Sequence, residues 1–206
     1  METDHQQSGS FLPFLQFCGD LKRVKRTGWV MKGVQDAESV SDHMYRMAVI
    51  AMLFTSDVQN TGMPCINREH CIKMALVHDL AECIVGDITP FDGISKEEKS
   101  QREKEAMVQV TSCLPKLTAK EFTSLWEEYE AGLTAEAQLV KDLDKFEMIL
   151  QAYEYEKGMV QSCGAENRPG ELQEFFDSTA GRIKHPLIDS WSEELRTLRH
   201  KETNND

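Results

Sequence analysis

Apolar residues recur along this chain at spacings of three and four, with Gly, Pro and short polar runs between the segments. That period turns one stripe of each segment toward a core, as a helix does, and no segment shows the clean alternation of a strand. The first run, FLPFLQFCGDLKRV, aligns Phe11, Leu15, Cys18 and Leu21, and Pro13 fits only an early turn. Arg26-Thr27-Gly28-Trp29-Val30 interrupts the pattern as a connector. Ser39 or Ser41 then caps a second helix that continues through MYRMAVIAMLF. Residues 59–67 read as a loop, and Asn67 caps a third helix carrying Ile72, Ala75, Leu76, Leu80 and Cys83 inward as far as Gly86. After the loop ITPFDGI, the pairs Ser95/Glu98 and Thr118/Glu121 are capping boxes that open helices on either side of Pro115. Thr134 opens the longest helix, with Leu139, Val140, Leu143 and Phe146 on its apolar side, and Gly158 marks its end. A polar loop leads to a short helix around Phe175-Phe176 and to a last one, LIDSWSEELRTLR. The prediction is an all-α, single-domain helical bundle over residues 11–200, with flexible ends at 1–10 and 201–206.

Composition changes the picture mainly by exclusion. A chain of 206 residues with 28% charged and 40% hydrophobic residues can bury a continuous core. A net charge of -12 with no basic stripe argues against a nucleic acid polymer as partner. A small phosphorylated ligand remains compatible, because a metal and one or two Arg can offset the acidic background locally. The six cysteines form no C-x-x-C pair and several lie at apolar helix positions, so free buried thiols are expected rather than disulfides or a Cys-based zinc site. The N-terminus lacks an apolar signal region, and no apolar run approaches the ~20 residues that span a bilayer. A cytoplasmic protein without a membrane partner is expected, and the same features also suit the nucleus.

The chemistry concentrates in a few polar residues at the rim of apolar stripes. His78-Asp79 lies in KMALVHDLAECIVGD, His43 in SVSDHMYRMAVIAM and Asp144 in AQLVKDLDKFEMIL. His43, His78, Asp79 and Asp144 together make a constellation for one divalent cation, with coordination positions left for water and substrate. Read singly, His43 is a core histidine, Asp79 an ion-pair partner and Asp144 a surface charge. Glu82, one turn after the His-Asp pair, and Asp87, just past the helix end, weaken that plain reading. So many ionisable groups in so apolar a segment are costly to bury without a cation. Mixed nitrogen and oxygen donors fit Mn²⁺, Co²⁺, Fe²⁺ or Zn²⁺, while oxygen neighbours suit Mg²⁺.

Arg26 ends the basic run Lys22-Arg23-Val24-Lys25-Arg26, which taken alone is a solvated face, and Trp29 taken alone is a plug between helices. Their place in an irregular connector favours a binding role, with Arg26 for phosphate and Trp29 as a flat wall for sugar or base. Trp126 and Tyr129 of WEEYE read as core with their acids in solvent. Lys141 and Lys145 read as charge balance around Asp144, and His5, His70, His185 and His200 as ordinary residues.

ESVSDHMYRMA, ALVHDLAECIVGDI and LVKDLDKFEMILQA resemble the HD-domain metal-dependent phosphohydrolase superfamily. RTGW, VGDI and WEEYE resemble more closely its 5′-deoxynucleotidase branch, over roughly residues 11–195. The resemblance implies an HD-type helical bundle, often a homodimer, that hydrolyses deoxyribonucleoside 5′-monophosphates. It implies His43, His78, Asp79 and Asp144 as metal ligands, and Asp79 and Glu82 at the reaction centre. Glu82, Asp87 and the backbone of Ile88 would serve proton transfer, the sugar or a second cation. Arg26 and Trp29 would meet phosphate and deoxyribose. The bacterial members have that Arg and Trp adjacent, whereas Thr27-Gly28 separates them here. Other hydrolases of the superfamily, acting on nucleoside triphosphates or cyclic nucleotides, would share the ligands. A non-catalytic, metal-stabilised helical module is the alternative of a different class.

Overall fold

Three helices begin where a short polar side chain takes up a free N–H group of the first turn. Asn67 Oδ1 accepts from the His70 N–H at 3.1 Å, Ser95 Oγ from Glu98 at 3.1 Å, and Thr134 Oγ1 from Ala137 at 3.1 Å. The computed structural model describes residues 10–55, 66–162 and 172–203. Its helices are α1 (Leu12–Asp20), α2 (Thr27–Met31), α3 (Val40–Ala51), α4 (Arg68–Ala75) and α5 (Glu82–Val85). They continue as α6 (Lys96–Thr111), α7 (Lys116–Ala131), α8 (Ala135–Ser162), α9 (Gln173–Thr179) and α10 (Pro186–Thr203), with a 3₁₀ turn at Pro90–Asp92. No strand occurs among the described residues, where Lys25 and Ser39 form an isolated β-bridge. The all-α prediction therefore holds.

Several local expectations do not. The connector at 26–30 is largely the one-turn helix α2. The third helix is interrupted: α4 ends at Ala75, residues 76–81 form turns, and Leu76 is exposed. Thr118 does not open α7, because Pro115, whose carbonyl accepts the Ala119 N–H at 2.8 Å, already starts it. Gly158 does not end α8, which runs on to Ser162. On α1 the inward face is set by Phe14 and Leu21, while Phe11 and Leu15 are exposed. Phe14 is fixed by an edge-on contact with Phe122, ring centroids 5.2 Å apart. The segments 1–9, 56–65, 163–171 and 204–206, which include His5, Cys65, Cys163 and most of both expected polar loops, lie outside the described residues.

The chain divides into two compact units. In the first, Met1–Met44 with Val77–Glu127, α1 packs on α5 and α6, and α5 packs on α6. In the second, Tyr45–Leu76 with Glu128–Asp206, α8 is the spine on which α4, α9 and α10 pack. Leu139, Val140, Leu143 and Ile149 of α8 are fully buried, as their spacing predicts. Its buried polar groups fasten neighbours: Asp142 Oδ2 accepts the Lys184 and His185 N–H groups ahead of α10, at 2.7 and 2.8 Å. Glu156 takes Arg199 in two bonds, 2.6 and 2.9 Å, with the guanidinium stacked over Phe176. Trp126 and Tyr129 are buried, as expected. Cys18, Cys71, Cys83 and Cys113 are free thiols, and burial pushes Cys71 and Cys83 up to about 12, helped by Glu136 and Glu128 near the one and Asp20 and Cys18 near the other. No helix among the described residues is long and apolar enough to cross a membrane.

Candidate active site

The first unit assembles most of the expected residues around two short segments. Residues 24–26 run beside 38–40: Arg26 N–H donates to Glu38 O at 3.1 Å, and Val40 N–H to Val24 O at 2.9 Å. This pairing sets Arg26 beside the start of α3. There Ser39 and Asp42 exchange bonds, with Asp42 N–H donating to Ser39 Oγ and the Ser39 N–H and hydroxyl donating to Asp42 Oδ2. Those donors hold the Asp42 carboxyl below its ordinary range. His43 follows, wholly buried.

The His-Asp pair sits where the chain tightens. Leu80 N–H bonds to Val77 O at 3.0 Å, Glu82 to Asp79 at 3.0 Å, and Ile84 to Ala81 at 3.0 Å. These are three-residue spacings rather than the four of an α-helix. Asp79 Oδ2 lies 3.1 Å from His78 Nε2 and 3.9 Å from His43 Nε2, and the two imidazoles stand edge to face. Burial alone would raise the Asp79 carboxyl, but His78, Arg26 and His43 outweigh it and bring it to about 2.

Glu82 is 3% exposed, and its pKa is driven well above the ordinary value by burial and by Asp79 and Asp87; Arg26 and Lys99 oppose this. Its buried Oε2 has no hydrogen-bond partner among the described residues. Gly86, at φ +77°, turns the chain in a conformation that side chains disfavour, and Asp87 follows. Thr27 holds Asp87 twice: its N–H donates to Oδ2 at 2.6 Å and its hydroxyl to the carbonyl at 2.7 Å. Arg26 Nη1 lies 3.6 Å from Asp79 Oδ2 and 3.8 Å from Asp87 Oδ1, so one guanidinium faces both acids. The Ile88 carbonyl accepts Lys99 Nζ at 3.0 Å, and that ammonium lies 3.5 Å from Glu103.

Trp29 is 2% exposed and donates its indole N–H to Glu38 Oε1 at 2.9 Å, a plug's arrangement. Asp144 stands in the second unit, on α8, and accepts the Tyr129 hydroxyl at 2.9 Å. There Lys145 bonds Asp142 and the Lys141 carbonyl, and Lys141 lies over the Tyr129 ring. His70, taken as ordinary, lies with Nε2 2.7 Å from Glu128 Oε2. Thr27 and Lys99 were missed as site residues. RTGW drew attention to Thr27 only as a spacer, and nothing around Lys99 marks it apart from a helix opening.

A divalent cation fits this donor set. Two ligands ~2.1 Å from one ion stand roughly 3.0–3.4 Å apart, which is close to the His78–Asp79 spacing and somewhat under the His43–Asp79 one. A metal requires an ionised carboxylate, the form in which Asp79 is held. Asp79, Glu82 and Asp87 lie near the fixed cations Arg26 and Lys99, and a divalent ion would add positive charge among these acids.

Known proteins resemble this chain over nearly all of it. The HD domain profile matches residues 18–189. The 5′-deoxynucleotidase HDDC2 of Homo sapiens is 54% identical over 190 residues, 92% of this chain and 86% of that protein. The protein of that name from Dictyostelium discoideum is 52% identical, covering 92% and 98%. Among solved structures, a conserved hypothetical protein of Pyrococcus furiosus superposes with a TM-score of 0.69 at 37% identity, over 90% of this chain and 99% of that one. The profile, the identity to curated relatives and the buried His-Asp arrangement agree, and the chain belongs to the HD-domain family.

Proposed function

We propose that this protein is a metal-dependent 5′-deoxynucleotidase, hydrolysing deoxyribonucleoside 5′-monophosphates to the deoxynucleoside and phosphate. The observation that carries the reading is the convergence of His43 and His78 on the Asp79 carboxylate, in a chain more than half identical to curated 5′-deoxynucleotidases. His43, His78 and Asp79 hold the cation, and Asp144 is its fourth ligand on the strength of the family resemblance. A bound divalent ion polarises the phosphate and makes water more acidic. Mn²⁺, Co²⁺ and Mg²⁺ are the ions proposed for activity, with Zn²⁺ and Fe²⁺ compatible with the donors.

The protein's own groups do the rest. Arg26, fixed between Asp79 and Asp87, turns a delocalised cation toward the phosphate oxygens. Glu82 Oε2 is buried, and burial with the Asp79 and Asp87 charges raises its pKa above the ordinary glutamate value, which suits a group that exchanges a proton with water or the leaving 5′ oxygen. Asp87 and the Ile88 carbonyl border the sugar or a second cation, Lys99 neutralising that edge from α6. Trp29 backs the Arg26 segment from the core side, and through it the site favours a sugar lacking the 2′ hydroxyl. Tyr45, Val49 and Met52 leave an exposed apolar stripe at helical spacing along α3, which supports a homodimer. A cytoplasmic or nuclear protein acting on a small nucleotide rather than a polymer completes the reading.

Phosphate release by metal-stripped and metal-restored protein, on dAMP, AMP and dATP, tests it. The expected result is metal-dependent turnover with dAMP ahead of both others. Equal kcat/KM for AMP and dAMP would favour a broader phosphohydrolase, preference for dATP a triphosphatase, and no turnover with a retained metal a binding module.

A further inference from the structure

We propose that Thr27 is a positioning residue for this hydrolysis, setting the Asp87 carboxylate through two hydrogen bonds made across 60 residues of chain. The inference rests on the functional reading above and adds to it a residue that the metal and phosphate roles leave out. Asp87 follows a glycine turn and precedes the 3₁₀ turn, so its own neighbours in sequence do little to fix its side chain. Thr27 fixes both parts of it. The N–H bond to Oδ2, at 2.6 Å, is short and charge-assisted, and the hydroxyl bond to the carbonyl, at 2.7 Å, pins the backbone of the same residue.

The Thr27 N–H is free to do this because Thr27 is the first residue of α2, where N–H groups have no partner within the helix. With Oδ2 held, Asp87 presents Oδ1, the oxygen that faces Arg26. Arg26 is the residue immediately before Thr27, so the same latch sets the guanidinium relative to both acids. The Thr27-Gly28 spacing thus has a use of its own: it places a hydroxyl where an adjacent Arg-Trp pair would have none.

Three substitutions grade the latch. Thr27→Ser keeps both donors, Thr27→Val keeps only the N–H, and Thr27→Pro removes both. Proline suits this place, since it opens a helix and Arg26 before it has φ -63° and ψ 110°, a conformation tolerated ahead of proline. Steady-state hydrolysis of dAMP and the thermal midpoint are measured on each full-length protein loaded with Mn²⁺. The Ser variant should stay near the native kcat. The Val variant should lose roughly three- to tenfold, the kinetic equivalent of one hydrogen bond, and the Pro variant more. In both, kcat and kcat/KM should fall together at unchanged KM, while the thermal midpoint falls by no more than the few degrees that one or two hydrogen bonds support. Native kcat in the Val and Pro variants would overturn the inference, as would an equal loss in the Ser variant, or a thermal midpoint lowered to the assay temperature. A native protein without turnover would instead overturn the functional reading, and the inference with it.

Discussion

Replacing Arg46 by Met removes the cation from a cluster on α8 and should be among the most damaging single changes in the second unit. Arg46 spreads its guanidinium over three acceptors: Nε and Nη2 reach Glu147 Oε1 at 2.8 and 2.7 Å, Nη1 reaches Glu154 Oε2 at 2.6 Å, and Nη2 also donates to Gln151 Oε1. The partners are unequal. Glu154 is 48% exposed and returns to water at little cost, but Glu147 is fully buried. Without Arg46 its buried carboxylate loses its guanidinium partner, a penalty of up to roughly 3–5 kcal/mol. For a chain of this size that is a fall in thermal midpoint of about 6–20 °C. Arg46→Met/Glu147→Met should recover most of the loss, since two packed thioethers replace the pair without an unmatched ion. Thermal and urea unfolding of the three proteins decide the matter. A single mutant within about 1 kcal/mol of the native protein would refute the assignment of Arg46 as the partner Glu147 needs.

Three further outcomes follow from the site and its surroundings. Asp79→Ala should abolish both tight metal binding and phosphate release, and metal content by mass spectrometry checks it; full occupancy would remove Asp79 from the ligand set. Glu82→Gln should keep the metal at its His and Asp ligands yet lower kcat by roughly 10²–10⁴-fold, the range for lost general acid–base catalysis, and near-native kcat at saturating metal would exclude a proton role. Burial pushes the Glu128 carboxyl up, but the Thr134 hydroxyl and His70 ring outweigh it and lower its pKa. Its contribution to stability is therefore full above the ordinary glutamate value of ~4.3 and lost as pH falls through the folded value, so Glu128→Gln should flatten that acid limb in unfolding experiments.

What the sequence disclosed was local. Asn67, Ser95 and Thr134 cap their helices because a cap is decided within one turn. The inward face of α8 follows from spacing alone, and His78-Asp79 stands out because such residues have little other business among apolar neighbours. What stayed hidden was long-range. The His70–Glu128 contact spans 58 residues, Asp142 holds N–H groups 42 and 43 residues away, and Thr27 and Asp87 meet across 60. No period or motif encodes those pairings. Trp29 illustrates the same limit: nothing in its connector reveals that Glu38, nine residues on, takes its indole N–H.

The break between α4 and α5 is the most instructive departure, because periodicity across 68–85 gives no reason for it. In a regular helix His78 and Asp79 diverge by about 100° and Glu82 is offset from Asp79. Three-residue bonding brings residues three apart into eclipse, so the tightened stretch aligns Asp79 with Glu82 along one side. Burial first, and then the Asp79 and Asp87 charges, raise the Glu82 pKa there. Arg26 and Lys99 offset part of the repulsion from neighbouring segments. A cation among the same donors would relieve the remainder, so buried like charge stands where the proposed chemistry needs it. Violations of local rules concentrate at functional sites for this reason. Here the violated rule is the helix itself, and it fails at the pair of residues that a metal would hold.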